Sequence, residues 1–176
     1  MPFDPEFSLT NCKIGYAIVY RHSGGLFGDL IVKKQQASGF DPKHAEYTHV
    51  EISLGGKHTI NISPPKSKLC DITKTHKGRY IKIVKYKVSN YNIKRYKVGC
   101  LYSSLNNSGY DIPGILSFLF KWIKNSNRLY FCSEGCLTAL QMVYPDAFQM
   151  KPGACMPAEW LNPKWTELVW EGHIPK

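Results

Sequence analysis

The sequence predicts an α+β fold, in which antiparallel hairpins and helices occupy separate stretches of the chain. Two observations carry this. Residues 47–54 and 59–63 each alternate apolar and polar side chains, and Gly55-Gly56 between them signals a hairpin. Residues 26–37 and 133–143 instead repeat apolar side chains at helical spacing. A length of 176 residues suits one compact domain over 1–176, with no internal repeat and no low-complexity tract.

The elements follow in order. Residues 14–20 are short, apolar and β-branched, a strand broken by Gly24 and Gly25. Leu26, Phe27, Leu30 and Ile31 predict a helix over 26–37, ended by Ser38-Gly39 and followed by an Asp41-Pro42 loop. In the strand 47–54, Val50, Ile52 and Leu54 share one face, and His49, Glu51 and Ser53 the other. A three-residue loop, Gly55-Gly56-Lys57, pairs Glu51 with Asn61 and Ile52 with Ile60, whereas a two-residue turn would mix the faces. Residues 79–88 predict a strand whose alternation changes phase near Ile83-Val84, as at a bulge. Ser89 is placed to cap a helix carrying Ile93, Tyr96, Cys100 and Leu101. An apolar helix near 113–123, the helix 133–143 closed by Pro145, and a last strand at 166–170 complete the chain.

The formal charge of +10 is concentrated. Between Lys66 and Lys97 lie eleven basic residues and one acid, Asp71, so the rest of the chain sums to neutral. This stretch reads either as a solvated face or as a surface for nucleic acid, an anionic membrane or an anionic wall polymer, with Lys82, Lys85 and Lys87 as its representatives. The first ten residues hold acids and prolines where a signal peptide needs bases and an apolar run, so the expected site of synthesis and initial residence is the cytoplasm. Six scattered cysteines without that signal argue against a disulfide framework, and no histidine pair stands at zinc-finger spacing. No metal or other cofactor is expected.

One cysteine stands apart. In Tyr130-Phe131-Cys132-Ser133-Glu134, Cys132 falls at a helix start, where unpaired N–H groups and the dipole favour a thiolate and can hold an oxyanion. The plainer account is a buried first-turn cysteine. A nucleophile needs an imidazole, and His49 on the polar face of its strand is the candidate; the other histidines fall in turns, loops or near an end. Asn61, diagonal to His49 in the preferred register, is the choice for orienting the ring, with Glu51 as its rival.

At these residues the chain resembles the permuted NlpC-type branch of papain-like cysteine hydrolases, in which the histidine strand precedes the nucleophile. The likeness runs through Tyr47-Thr48-His49-Val50-Glu51-Ile52, Gly109-Tyr110-Asp111, Phe131-Cys132-Ser133-Glu134 and Met156-Pro157-Ala158-Glu159-Trp160-Leu161. It implies a circularly permuted papain-like fold, with an antiparallel sheet or barrel against helices and the nucleophile at a helix N-terminus. It departs in two places. The branch often has glutamate where this chain offers Asn61, and Gly135-Cys136 follows where larger apolar residues are common.

The expected activity is hydrolysis of an amide through a thioester, on a peptide, isopeptide or peptidoglycan stem peptide. Cys132 attacks, His49 serves as base and acid, Asn61 orients it, and Tyr20 and Arg21 border the cleft. Relatives in the branch imply an acyl-lipid transferase or esterase as the alternative, and a retired scaffold that binds polyanions is the non-enzymatic one. Oligomeric state is open.

Overall fold

The computed structural model describes residues 7–109 and 131–176. They form an α+β structure whose six strands make one open antiparallel sheet: β1 (Ala17–Arg21), β2 (Tyr47–Gly55), β3 (His58–Asn61), β4 (Lys68–Asp71), β5 (Tyr80–Tyr86) and β6 (Thr166–His173), in the order β4-β3-β2-β1-β5-β6. The expected apolar helix near 113–123, Tyr110 and Asp111 of the glycine motif, and Tyr130 lie outside the described residues.

The centre of the sheet is set by β-branched and aromatic residues that pack on both faces. Ile18, Val19 and Tyr20 of β1, Val50 and Ile52 of β2, and Ile81 and Ile83 of β5 are all buried. Removing each such side chain from water stabilises the fold by about 1.5–3 kcal/mol. Antiparallel pairing sets Tyr20 opposite His49 and Ile18 opposite Glu51, so the polar residues of β2 share their face with a tyrosine.

Helices cover this frame: α1 (Leu26–Ala37), α2 (Pro42–Ala45), α3 (Ile72–Thr75), α4 (Tyr91–Ser103) and α5 (Cys132–Gln141). Helix α5 packs on β2 and α4, and a 3₁₀ helix at Pro157–Leu161 packs on β1, β2 and β6. No helix among the described residues is long and apolar enough to cross a membrane.

Several expectations need correction. The hairpin has the expected pairing in its body, with Ser53 opposite Thr59, but Gly55 belongs to β2 and pairs with His58. Its loop is therefore the two residues Gly56-Lys57, and a register shift between Ser53 and Gly55 reconciles a tight turn with unmixed faces. The break near Ile83-Val84 is a true register shift against β6. Ser89 does not cap α4; Asn90 takes that position without a side-chain bond.

The buried face of α4 is also different. Ile93 is 80% exposed, and Tyr91, Val98, Gly99 and Tyr102 point inward instead. Those two tyrosines bury their rings because their hydroxyls find backbone acceptors, Tyr102 on the Ile60 carbonyl at 2.7 Å and Tyr91 on that of Gly15. Gly99 is required by close approach, since a Cβ there would collide with Ile14. In α1 the apolar residues lie partly or fully open, with Leu26 74% exposed, and the buried residue is Gln35. Its amide donates to the Ala45 and Tyr47 carbonyls and its oxygen accepts from Ala158 N–H. A polar side chain thus ties α1 to β2 and the 3₁₀ helix, which no apolar periodicity announces. Strand β4 and helix α3 were also not predicted; their polar residues show no alternation.

Candidate active site

Cys132 is the first residue of α5 and is 5% exposed. Phe131 precedes it with extended backbone, and its N–H donates to Glu134 Oε2 at 3.4 Å. The first intrahelical bond runs from Gly135 N–H to the Phe131 carbonyl, so the N–H groups of Cys132, Ser133 and Glu134 precede the helical ladder. The Ser133 hydroxyl donates to the Cys155 carbonyl at 2.6 Å, anchoring this turn.

Strand β2 brings His49 to the sulfur. The imidazole faces the Cys132 side chain closely enough to act on its ionisation, and its Nε2 lies 2.9 Å from Glu51 Oε1. Glu51 is fully buried. Two further groups hold it: His76 Nε2 stands 3.1 Å from the same Oε1, and Tyr20 donates its hydroxyl to Oε2 at 2.9 Å. The Tyr20 and His76 rings pack with centroids 4.3 Å apart. Because a carboxylate only accepts, both imidazoles present Nε2–H to it. That leaves Nδ1 of His49 for the thiol.

The electrostatics agree with this geometry. Burial by itself would raise the Glu51 carboxyl; the hydrogen bonds and charges of His49 and His76 outweigh it and hold Glu51 at about 2. Burial would likewise lower His49, but the Cys132 charge and hydrogen bond, followed by those of Glu51, raise it to about 10. Cys132 is lowered from the ordinary 9.0 against its own burial, by the charge and hydrogen bond of His49 and by the N–H groups of Val50 and Ser133. Each group thus favours the charged form of the other, thiolate beside imidazolium. By contrast, burial pushes Cys12 and Cys70 up to about 12, and Cys136 and Cys155 well above the ordinary range.

The other predicted residues fare unequally. Asn61 is buried, yet its Oδ1 has no hydrogen-bond partner among the described residues, and the ring nitrogen it was expected to receive goes to Glu51. The physical reason is that the His49 ring turns along its own strand to the residue two positions on. Tyr20 is not a cleft wall: it is fully buried and spends its hydroxyl on Glu51. Arg21 is exposed, pairs with Glu46 at 2.6 Å and lines a cavity of about 1060 Å³ whose wall contains neither Cys132 nor His49. Lys82 and Lys85 are neutralised by Glu171 and Glu167 of β6, each at 3.2 Å, and Lys87 Nζ donates to the Pro163 carbonyl. Lys82 and Lys85 are therefore paired with acids, whereas Lys87 keeps its charge.

Sequence reasoning missed His76. It caps the C-terminal end of α3, a helix of four residues with no periodic signal, and only tertiary packing carries it to Glu51. Among the described residues, the side chains able to hold a metal are Glu51, Cys70 and His76, whose ligand atoms all lie within 4.8 Å of one another. Comparison with family models, curated proteins and solved structures finds no match to this chain.

Proposed function

We propose that the chain is a cysteine hydrolase that cleaves an amide bond through a thioester on Cys132, within a permuted papain-like arrangement. The observation that carries this reading is the Cys132–His49–Glu51 constellation, with its thiol lowered while the four other buried thiols are raised. A buried structural cysteine has no need of an imidazole, a buried carboxylate behind it and two N–H groups on its sulfur.

In the first half-reaction the Cys132 thiolate attacks the carbonyl carbon, and the Cys132 N–H at the start of α5 steadies the oxyanion. The carbon–nitrogen bond breaks as His49 gives its Nδ1 proton to the leaving amine. In the second, neutral His49 takes a proton from water, hydroxide adds to the thioester, and the carbon–sulfur bond breaks to restore thiolate and imidazolium. Glu51 acts through His49: it fixes the ring with Nδ1 toward the sulfur and steadies its charge. Tyr20 and His76 hold Glu51.

Intact-mass spectrometry tests this. The protein is incubated with amide substrates (peptides and peptidoglycan stem peptides) and with acyl lipids, and trapped adducts are mapped. An acyl group on Cys132 from an amide, absent in Cys132→Ala, is expected. Acylation by lipids alone moves the activity to ester or acyl transfer, and no adduct with any substrate contradicts the reading.

A further inference from the structure

Glu51 does more than face His49. Its Oε1 also meets His76 Nε2 at 3.1 Å, and Cys70 Sγ stands close enough that the three ligand atoms lie within 4.8 Å of one another. All three residues are buried, at 0%, 7% and 6% exposure for Glu51, Cys70 and His76. They come from separate elements with rigid supports. Glu51 sits in the middle of β2. Cys70 of β4 is paired opposite Thr59 of β3. One turn of α3, capped by Asp71 on Thr73 N–H at 3.0 Å, returns the chain to His76.

We propose that Glu51, Cys70 and His76 form a binding site for a thiophilic divalent cation, zinc foremost, whose occupation switches the neighbouring site off by drawing Glu51 away from His49. The donor set is one sulfur, one imidazole nitrogen and one carboxylate oxygen, which suits zinc and its borderline-soft neighbours and not magnesium or calcium, which take oxygen. Tetrahedral bonds of about 2.0–2.3 Å place ligand atoms about 3.3–3.8 Å apart, so only a small closure is needed. Charge also fits. A thiolate and a carboxylate neutralise the dication, so the loaded centre carries no net charge, as its burial demands. Loading displaces the Cys70 thiol proton and the proton on His76 Nε2, which then coordinates. Without the cation, His76 and Tyr20 hydrogen-bond Glu51, so both states are sound. Because His76 and His49 share one oxygen of Glu51, a cation there removes the acceptor that orients His49.

Metal binding stands by itself; only the inhibition rests on the hydrolase reading. The binding test uses full-length Cys132→Ala, which lacks the competing Cys132–His49 pair. Titration with cobalt is expected to give one equivalent bound, with a thiolate-to-cobalt charge-transfer band that zinc displaces. Adding Cys70→Ser should abolish the band and weaken zinc binding in calorimetry on the order of 100-fold. If that variant does not fold, His76→Gln in the same background should weaken binding at least about tenfold. No band in Cys132→Ala, or a band unchanged by Cys70→Ser, overturns the site. With Cys132 intact, zinc should stop turnover and a chelator restore it, and Cys70→Ser should remain active and resist zinc. Equal zinc sensitivity in Cys70→Ser overturns the switch. Turnover without cobalt binding refutes this proposal and leaves the hydrolase; binding without turnover of any substrate does the reverse.

Discussion

Cys132 and Cys136 occupy successive turns of one helix, both buried, yet they are opposite in chemistry. Cys136 lies within α5, where the backbone N–H groups are already engaged, and its thiol donates to the Val50 carbonyl at 3.6 Å. Burial, followed by the Cys132 charge, pushes it well above the ordinary range. Cys132 meets the same burial but receives His49 and the N–H groups of Val50 and Ser133, and it falls. Both thiols touch Val50, one its N–H and the other its carbonyl. The lesson is that burial does not decide a thiol's reactivity; the sign of what faces the sulfur does.

The largest expected effect breaks the pair apart directly. Cys132→Ala should lower turnover by on the order of 10³-fold or more while leaving the circular-dichroism melt in place. Cys136→Ala should do the opposite, keeping turnover and costing about 1–2 kcal/mol in denaturant unfolding. Next comes Glu51→Gln, which keeps the shape but removes the charge behind His49; kcat should fall about 10²–10⁴-fold, a greater loss than that of Asn61→Ala. If Asn61→Ala is the more damaging, the orienting role belongs to Asn61. The same substitution has a signature in stability. The Glu51 carboxyl stands at about 2 in the folded chain against an ordinary 4.5, so its contribution is present above about pH 4.5 and is lost as pH falls toward 2. The stability gap between the native chain and Glu51→Gln should close over that window in urea titrations. The smallest effect lies outside the helix. Lys85→Gln removes an exposed pair with Glu167 and should cost no more than about 1 kcal/mol.

Much of this was legible in the sequence wherever periodicity or register carried it. The alternation of β2 announced that His49 and Glu51 share a face, and the residues around Cys132 announced a helix start. The choice between Asn61 and Glu51 was not legible, because it turns on a side-chain torsion: residues two apart on a strand stand side by side, and the His49 ring has to rotate to reach Glu51. Nor was the buried face of α4, where hydroxyl satisfaction of Tyr91 and Tyr102 outweighed the exposed apolar residues Ile93 and Tyr96. His76 and Cys70 lie in short elements without a period, and only packing brings them to Glu51. The lysines of β5 looked like a charge run because their partners, Glu167 and Glu171, lie far along the chain on β6.

The site rests on His49 drawing Cys132 toward the thiolate while burial keeps the other buried thiols protonated. The rate of iodoacetamide alkylation at each cysteine, followed by peptide mass spectrometry across pH, tests it most directly. Cys132 is expected to react fastest of the buried thiols at neutral pH, with its rate already on a plateau there, and His49→Ala is expected to lower that plateau. Equal rates at Cys132 and Cys136, or a Cys132 rate that climbs only near an ordinary thiol's 9.0, would contradict it.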